Sequence, residues 1–98
     1  MSFDVVSAAA AADLVDIFTW IARDNLTAAD RFTDELRSLA ESLADNPERG
    51  RSRSDLSPGV RSLVLKNHLI LYRVERDIVI VLRFVDGHRH LTDLPLGD

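Results

Sequence analysis

Residues 60–85 read VRSLVLKNHLILYRVERDIVIVLRFV, and this stretch decides the fold. Valine, isoleucine, leucine and tyrosine dominate it, the residue types that suit a pleated, half-buried backbone. The dipeptides Lys66-Asn67 and Arg76-Asp77 interrupt it at hairpin spacing. Three antiparallel strands over 60–65, 68–75 and 78–85 follow, joined as a meander, with Asn67 and Asp77 taking the positive φ that tight turns demand. Two-residue turns place Leu65 opposite His68 and Glu75 opposite Ile78, which writes out the register. One face then carries Val60, Val64, Leu69, Leu71, Ile80, Leu82 and Phe84, with Arg73 and Glu75 near its edge. The other carries Leu63, Leu65, Ile70, Tyr72, Val74, Val79 and Val81, together with Arg61, His68 and Arg83.

Working outward, residues 48–59 have no apolar period and close on Pro58-Gly59, so they read as a basic loop. Before it, Phe32, Leu36, Leu39, Ala40 and Leu43 form the stripe of a helix that starts at the capping-box spacing Thr27 to Asp30 and ends near Pro47. An earlier helix over 8–24 has Ser7 as N-cap and Leu14, Ile17, Phe18 and Ile21 as its buried stripe. Trp20 reads as core beside that stripe, Asp13 and Asp16 read as solvated, and Asn25 stops the helix in a left-handed turn. Residues 3–6 make a short first strand, residues 90–94 a possible last one, and 94–98 a flexible tail. The fold class is α+β: an N-terminal strand, a helical hairpin, then an antiparallel meander of three to four strands, in one domain over 1–98. Two helices with one stripe each cover a single sheet face, so the other needs a partner. Leu63, Leu65, Ile70, Tyr72 and Val81 are assigned to that open face.

Composition narrows the function. The chain of 98 residues is 46% hydrophobic and 29% charged, with four glycines and three prolines, which excludes a disordered or collagen-like chain. Without cysteine there is no disulfide, thiolate zinc site or cysteine nucleophile. Asp4 stands where a signal peptide would be basic, and the longest uncharged runs fall far short of a membrane span, so a cytoplasmic location is expected. The net charge of −4 conceals an asymmetry: residues 1–48 hold ten acids against three arginines, residues 49–98 nine basic residues against six acids. A basic half suits an acidic partner, and opposite charges on packed layers also help folding.

Few residues suggest chemistry. Arg61 and Arg83 suit a phosphate or carboxylate clamp, and at strand ends they equally suit snorkelling into water. His88, Arg89 and His90 lie beside carboxylates after a glycine turn, a pattern too sparse for a metal site, so no metal or cofactor is expected. Ser52, Ser54 and Ser57 lack a nucleophile elbow, and the arginine run 49–61 lacks the interleaved aromatics of a single-strand nucleic-acid platform.

Ala12-Asp13-Leu14-Val15-Asp16-Ile17 with Trp20-Ile21-Ala22, Asn46-Pro47 with Gly50-Arg51, Asp55-Leu56-Ser57-Pro58-Gly59-Val60-Arg61-Ser62 and Leu71-Tyr72-Arg73-Val74 together resemble the ParE-type toxins of the RelE/ParE toxin-antitoxin superfamily. The resemblance spans nearly the whole chain. It implies a bacterial toxin that blocks growth by binding and inhibiting DNA gyrase without catalysis. It also implies a ParD-like antitoxin that neutralises the toxin within a hetero-oligomeric complex, the toxin itself not binding DNA. Arg61, Arg83, His88, Arg89 and His90 are the target-binding candidates under it, and the five open-face residues the antitoxin-binding ones. RelE-type members cut messenger RNA instead, with Arg61 and Arg83 near their basic positions. This chain lacks their lysine-rich helix and C-terminal tyrosine, its one lysine being Lys66 and its one tyrosine Tyr72. A non-toxic antitoxin-binding module is the third alternative.

Overall fold

The computed structural model describes residues 3–87, 91 and 94–96. Its elements are β1 (Phe3–Val6), α1 (Ala8–Ala22), α2 (Leu26–Ser42), β2 (Arg51–Ser52), β3 (Arg61–Leu65), β4 (His68–Glu75) and β5 (Ile78–Asp86). The expected strand, helical hairpin and meander are all present. The two-residue strand β2 is an addition inside the basic loop, and the sheet order is β1-β5-β4-β3-β2. β1 lies parallel to β5, whereas the other pairs are antiparallel.

Local chemistry starts both helices. The Ser7 hydroxyl oxygen accepts from the Ala10 N–H at 3.1 Å and caps α1. Asn25 does the same for α2, its side-chain oxygen accepting from the Ala28 N–H at 2.9 Å. Asn25 is therefore an extended N-cap at φ −159° and not the left-handed stop of α1. The helix begins at Leu26, ahead of Thr27, because the asparagine already satisfies the first free N–H.

Leu65 pairs with His68 and Glu75 with Ile78, as two-residue turns require. The register then shifts between Leu71 and Tyr72: Tyr72 pairs with Val81, but Leu71 pairs with Arg83. The extra residue in β5 is a bulge, and it moves everything after it to the opposite face. Phe84 therefore joins Ile70, Tyr72, Val79 and Val81 in the core beneath Leu14, Leu36, Ala40 and Leu43 of the helical hairpin. Val60, Leu71, Leu82 and Val85 form a second cluster on the other face.

That arrangement corrects the assignment of the open face. Ile70, Tyr72 and Val81 are wholly buried, with Leu63 and Leu65 packed against the same core, because this is the face the helices cover. Leu56, Leu91, Leu94 and Leu96 pack on the second cluster, so the chain covers its own other face. Leu94 and Leu96 are accordingly packing residues rather than a loose tail. Of the possible last strand, Leu91 and Leu94 are joined by a turn-type N–H to carbonyl bond of 3.1 Å, and residues 90, 92 and 93 lie outside the described residues.

The turns hold stored strain. Arg76 and Asp77 have φ of 50° and 66°, and in the other hairpin it is Lys66, at 53°, that takes the positive angle. A left-handed conformation costs a non-glycine residue about 1–2 kcal/mol. Replacing Arg76-Asp77 with Asn-Gly should raise stability by about 1 kcal/mol, read as a higher urea midpoint with an unchanged slope.

Candidate functional site

The helical hairpin and β1 enclose an open groove of about 680 Å³, lined by Asp4, Val6, Ala11, Leu14, Val15, Phe18, Thr33, Arg37 and Glu41. α1 supplies its wall because the helix carries two stripes. Leu14, Ile17 and Ile21 turn toward the sheet, while Ala11, Val15 and Phe18 repeat at the same three-to-four spacing on the next flank. Val15 is 64% exposed and Val6 on β1 is 37% exposed, whereas Val5 alternates to the opposite face of the strand. Contiguous apolar surface of this kind, rimmed by Asp4, Arg37 and Glu41, marks a docking surface. β1 is also the end strand of the sheet, so its outer main-chain groups face no neighbouring strand among the described residues.

What holds this wall in place is one carboxylate. Asp13, expected in solvent, is 8% exposed. Its Oδ2 accepts from Arg83 Nε at 2.7 Å and from the Phe84 N–H at 3.0 Å, while Oδ1 accepts from Arg83 Nη2 at 2.9 Å. The pairing is bidentate and largely dry, which strengthens it. The carboxylate raises the affinity of the guanidinium for its proton, so Arg83 is charged at every relevant pH.

A second anchor ties the basic loop to the sheet. The buried Tyr72 hydroxyl donates to the Pro47 carbonyl at 2.7 Å and accepts from the Gly50 N–H at 2.8 Å. Burial holds this phenol above its ordinary value of 10, which keeps the proton needed for donation. A side chain at Gly50 would meet the Tyr72 oxygen at 2.5 Å, so only glycine fits. Arg61 Nη1 donates to the Gly50 carbonyl at 2.8 Å and closes the clip.

The family of ParE toxins of type II toxin-antitoxin systems, parDE, matches residues 5–91. The chain belongs to this ParE toxin family. Toxin ParE3 of Caulobacter vibrioides is 34% identical over 80 residues, covering 81% of this chain and 80% of that relative. A structure of the chromosomal ParDE system from P. aeruginosa superposes with a TM-score of 0.73 at 25% identity, covering 88% of this chain and 95% of that one.

Within this ParE fold the residues singled out from sequence separate. Arg83 is locked to Asp13 and Arg61 to loop carbonyls, so both serve the scaffold. His88, Arg89 and His90 lie outside the described residues. The groove was missed because α1 was credited with one stripe; the second, Ala11-Val15-Phe18, was the available signal. Trp20 was misplaced too: it is 70% exposed, not core. His68 is half-buried, with Phe32 edge-on at 4.9 Å. Burial holds its pKa below the ordinary 6.5, opposed by the nearby Asp86 charge.

Asp13→Asn leaves Arg83 without its counter-charge and should destabilise the fold by about 3 kcal/mol, measured by chemical denaturation. For His68, the unfolded chain binds the proton more readily than the folded one, so stability should fall as pH drops from about 7 through 6.5 toward 5. His68→Gln should flatten that stretch of the urea-midpoint profile.

Proposed function

We propose that the chain is a growth-arresting toxin that binds DNA gyrase and is silenced by a ParD-like antitoxin seated in the groove between β1, α1 and α2. The observation that carries the antitoxin half is the groove itself: an apolar channel with exposed Val6 and Val15, beside an unpaired strand edge. An antitoxin segment that orders on binding gains by covering these side chains and by pairing along β1. The product is a hetero-oligomeric complex in the cytoplasm.

Family membership supports the gyrase half, since gyrase inhibition is the activity the ParE resemblance carries. Geometry favours binding over RNA cleavage. A ribonuclease reading would use Arg61 and Arg83 as phosphate clamps, yet one holds loop carbonyls and the other is neutralised by Asp13. No described helix is long and apolar enough to cross a membrane.

Antitoxin-free chain should inhibit supercoiling by purified gyrase, and adding its ParD-like antitoxin should restore activity. Intact gyrase function beside a folded, antitoxin-binding chain overturns the gyrase half; transcripts cut on induction would assign the ribonuclease activity, and unimpaired growth a silent module. Val15→Glu places a charge in the groove at an exposed helical site and should weaken antitoxin binding more than tenfold by calorimetry, with unchanged circular dichroism. Unaltered affinity would remove the antitoxin from the groove.

A further inference from the structure

The other flank of α1 carries a second feature that neither the scaffold nor the antitoxin reading uses. Trp20 stands 70% exposed in the last turn of the helix. Beside it lies a hollow of about 320 Å³, lined by Asp13, Asp16, Ile17, Trp20, Ile21, His68, Phe84, Val85 and Asp86. We propose that this hollow is a socket for an arginine side chain presented by a protein partner.

Four observations select that occupant. Ile17 and Ile21, both only half-buried, give an apolar wall matched to a long methylene stem. Asp16 lines the same hollow and makes no hydrogen bond or ion pair among the described residues, while Asp13 is already committed to Arg83, so Asp16 is the carboxylate available to a guanidinium. Trp20 supplies the aromatic face on which guanidinium groups stack, and its ring already takes one: Arg23 of the same chain sits 5.2 Å from the centroid. Finally, Trp20 and Ile21 occupy the last turn of α1, where the helix presents its negative end and where Arg23, the C-cap, is the one basic residue that follows.

Charge excludes an anionic occupant, and Trp20 with a one-sided carboxylate suits the flat, weakly hydrated guanidinium better than the compact ammonium of lysine. Among the described residues no group of three or more metal-ligating side chains forms, so a protein cation fits where a metal does not. Because the socket sits on the flank of α1 opposite the groove, its occupancy does not depend on the antitoxin or gyrase reading.

Trp20 is the only tryptophan of the chain, so its fluorescence reports the site directly. The probe is the capped peptide acetyl-Leu-Ala-Arg-Ala-Leu-amide, compared with the same peptide carrying the neutral isostere citrulline. Saturable quenching by the arginine peptide is expected, at least fivefold weaker with citrulline and at least fivefold weaker in Asp16→Asn. Asp30→Asn, which alters an exposed carboxylate on α2, should match the parent chain. Because Asp16 is exposed, the variant keeps its fold, checked by circular dichroism. Absence of saturation, equal binding of the two peptides, or unchanged binding in Asp16→Asn overturns the proposal. Self-association by analytical ultracentrifugation that Asp16→Asn abolishes also overturns it, by giving the hollow to a second copy of the chain.

Discussion

The unfinished edge of β5 is the constraint on which the rest depends. β1 pairs with β5 only from Ile78 to Val81, although β5 runs on to Asp86. Past that point a buried edge would expose main-chain groups with no partner, a cost of several kcal/mol if left unmet. Ser7 answers first, its N–H donating to the Val81 carbonyl and its hydroxyl to the Leu82 carbonyl, both at 3.0 Å. Asp13 then accepts the Phe84 N–H, two turns along α1. The helix thus continues the work of the strand that ended, and its axis is fixed against the sheet edge. The bulge at this place gives the carboxylate its second partner, Arg83, and turns Phe84 inward.

Much of this architecture is written locally. Alternation from 60 to 85, turn dipeptides at the right spacing and the Ser7 cap delimit the elements, because each depends on neighbours in sequence. Most of what failed depended on contacts distant in sequence. Nothing around Leu82 announces the bulge, since the carboxylate that accepts the Phe84 N–H beside it lies some seventy residues away at Asp13. Asp13 itself looks like any surface acid of a helix until the sheet edge is placed beside it. Asn25 was ambiguous because the same side chain ends one helix or starts the next. Trp20 defeated a rule of averages: large aromatics are mostly buried, and the exception carries the information.

The molecule divides its two sheet faces between two kinds of cover. Regular helices pack on one, whereas short irregular segments around Leu56, Leu91, Leu94 and Leu96 pack on the other. The Tyr72 clip links them, since its ring lies in the helix-side core while its hydroxyl holds the loop at Pro47 and Gly50. The candidate docking surfaces accordingly lie on the flanks of α1, the element with more apolar area than one sheet face can absorb. Arg61 and Arg83, the arginines expected to bind the target, are engaged within the fold by loop carbonyls and by Asp13, which is why the site was less legible than the fold.

The pairing of β1 with β5 also has a temporal side. Phe3 is joined to Ile78, so the first strand made waits for the last before its inner edge is satisfied. Until β5 has left the ribosome, neither the β1 wall of the groove nor the Asp13–Arg83 lock is held in place, however much of the helical hairpin has formed. The β1 wall of the groove and the lock thus come into being together, once β5 is in place.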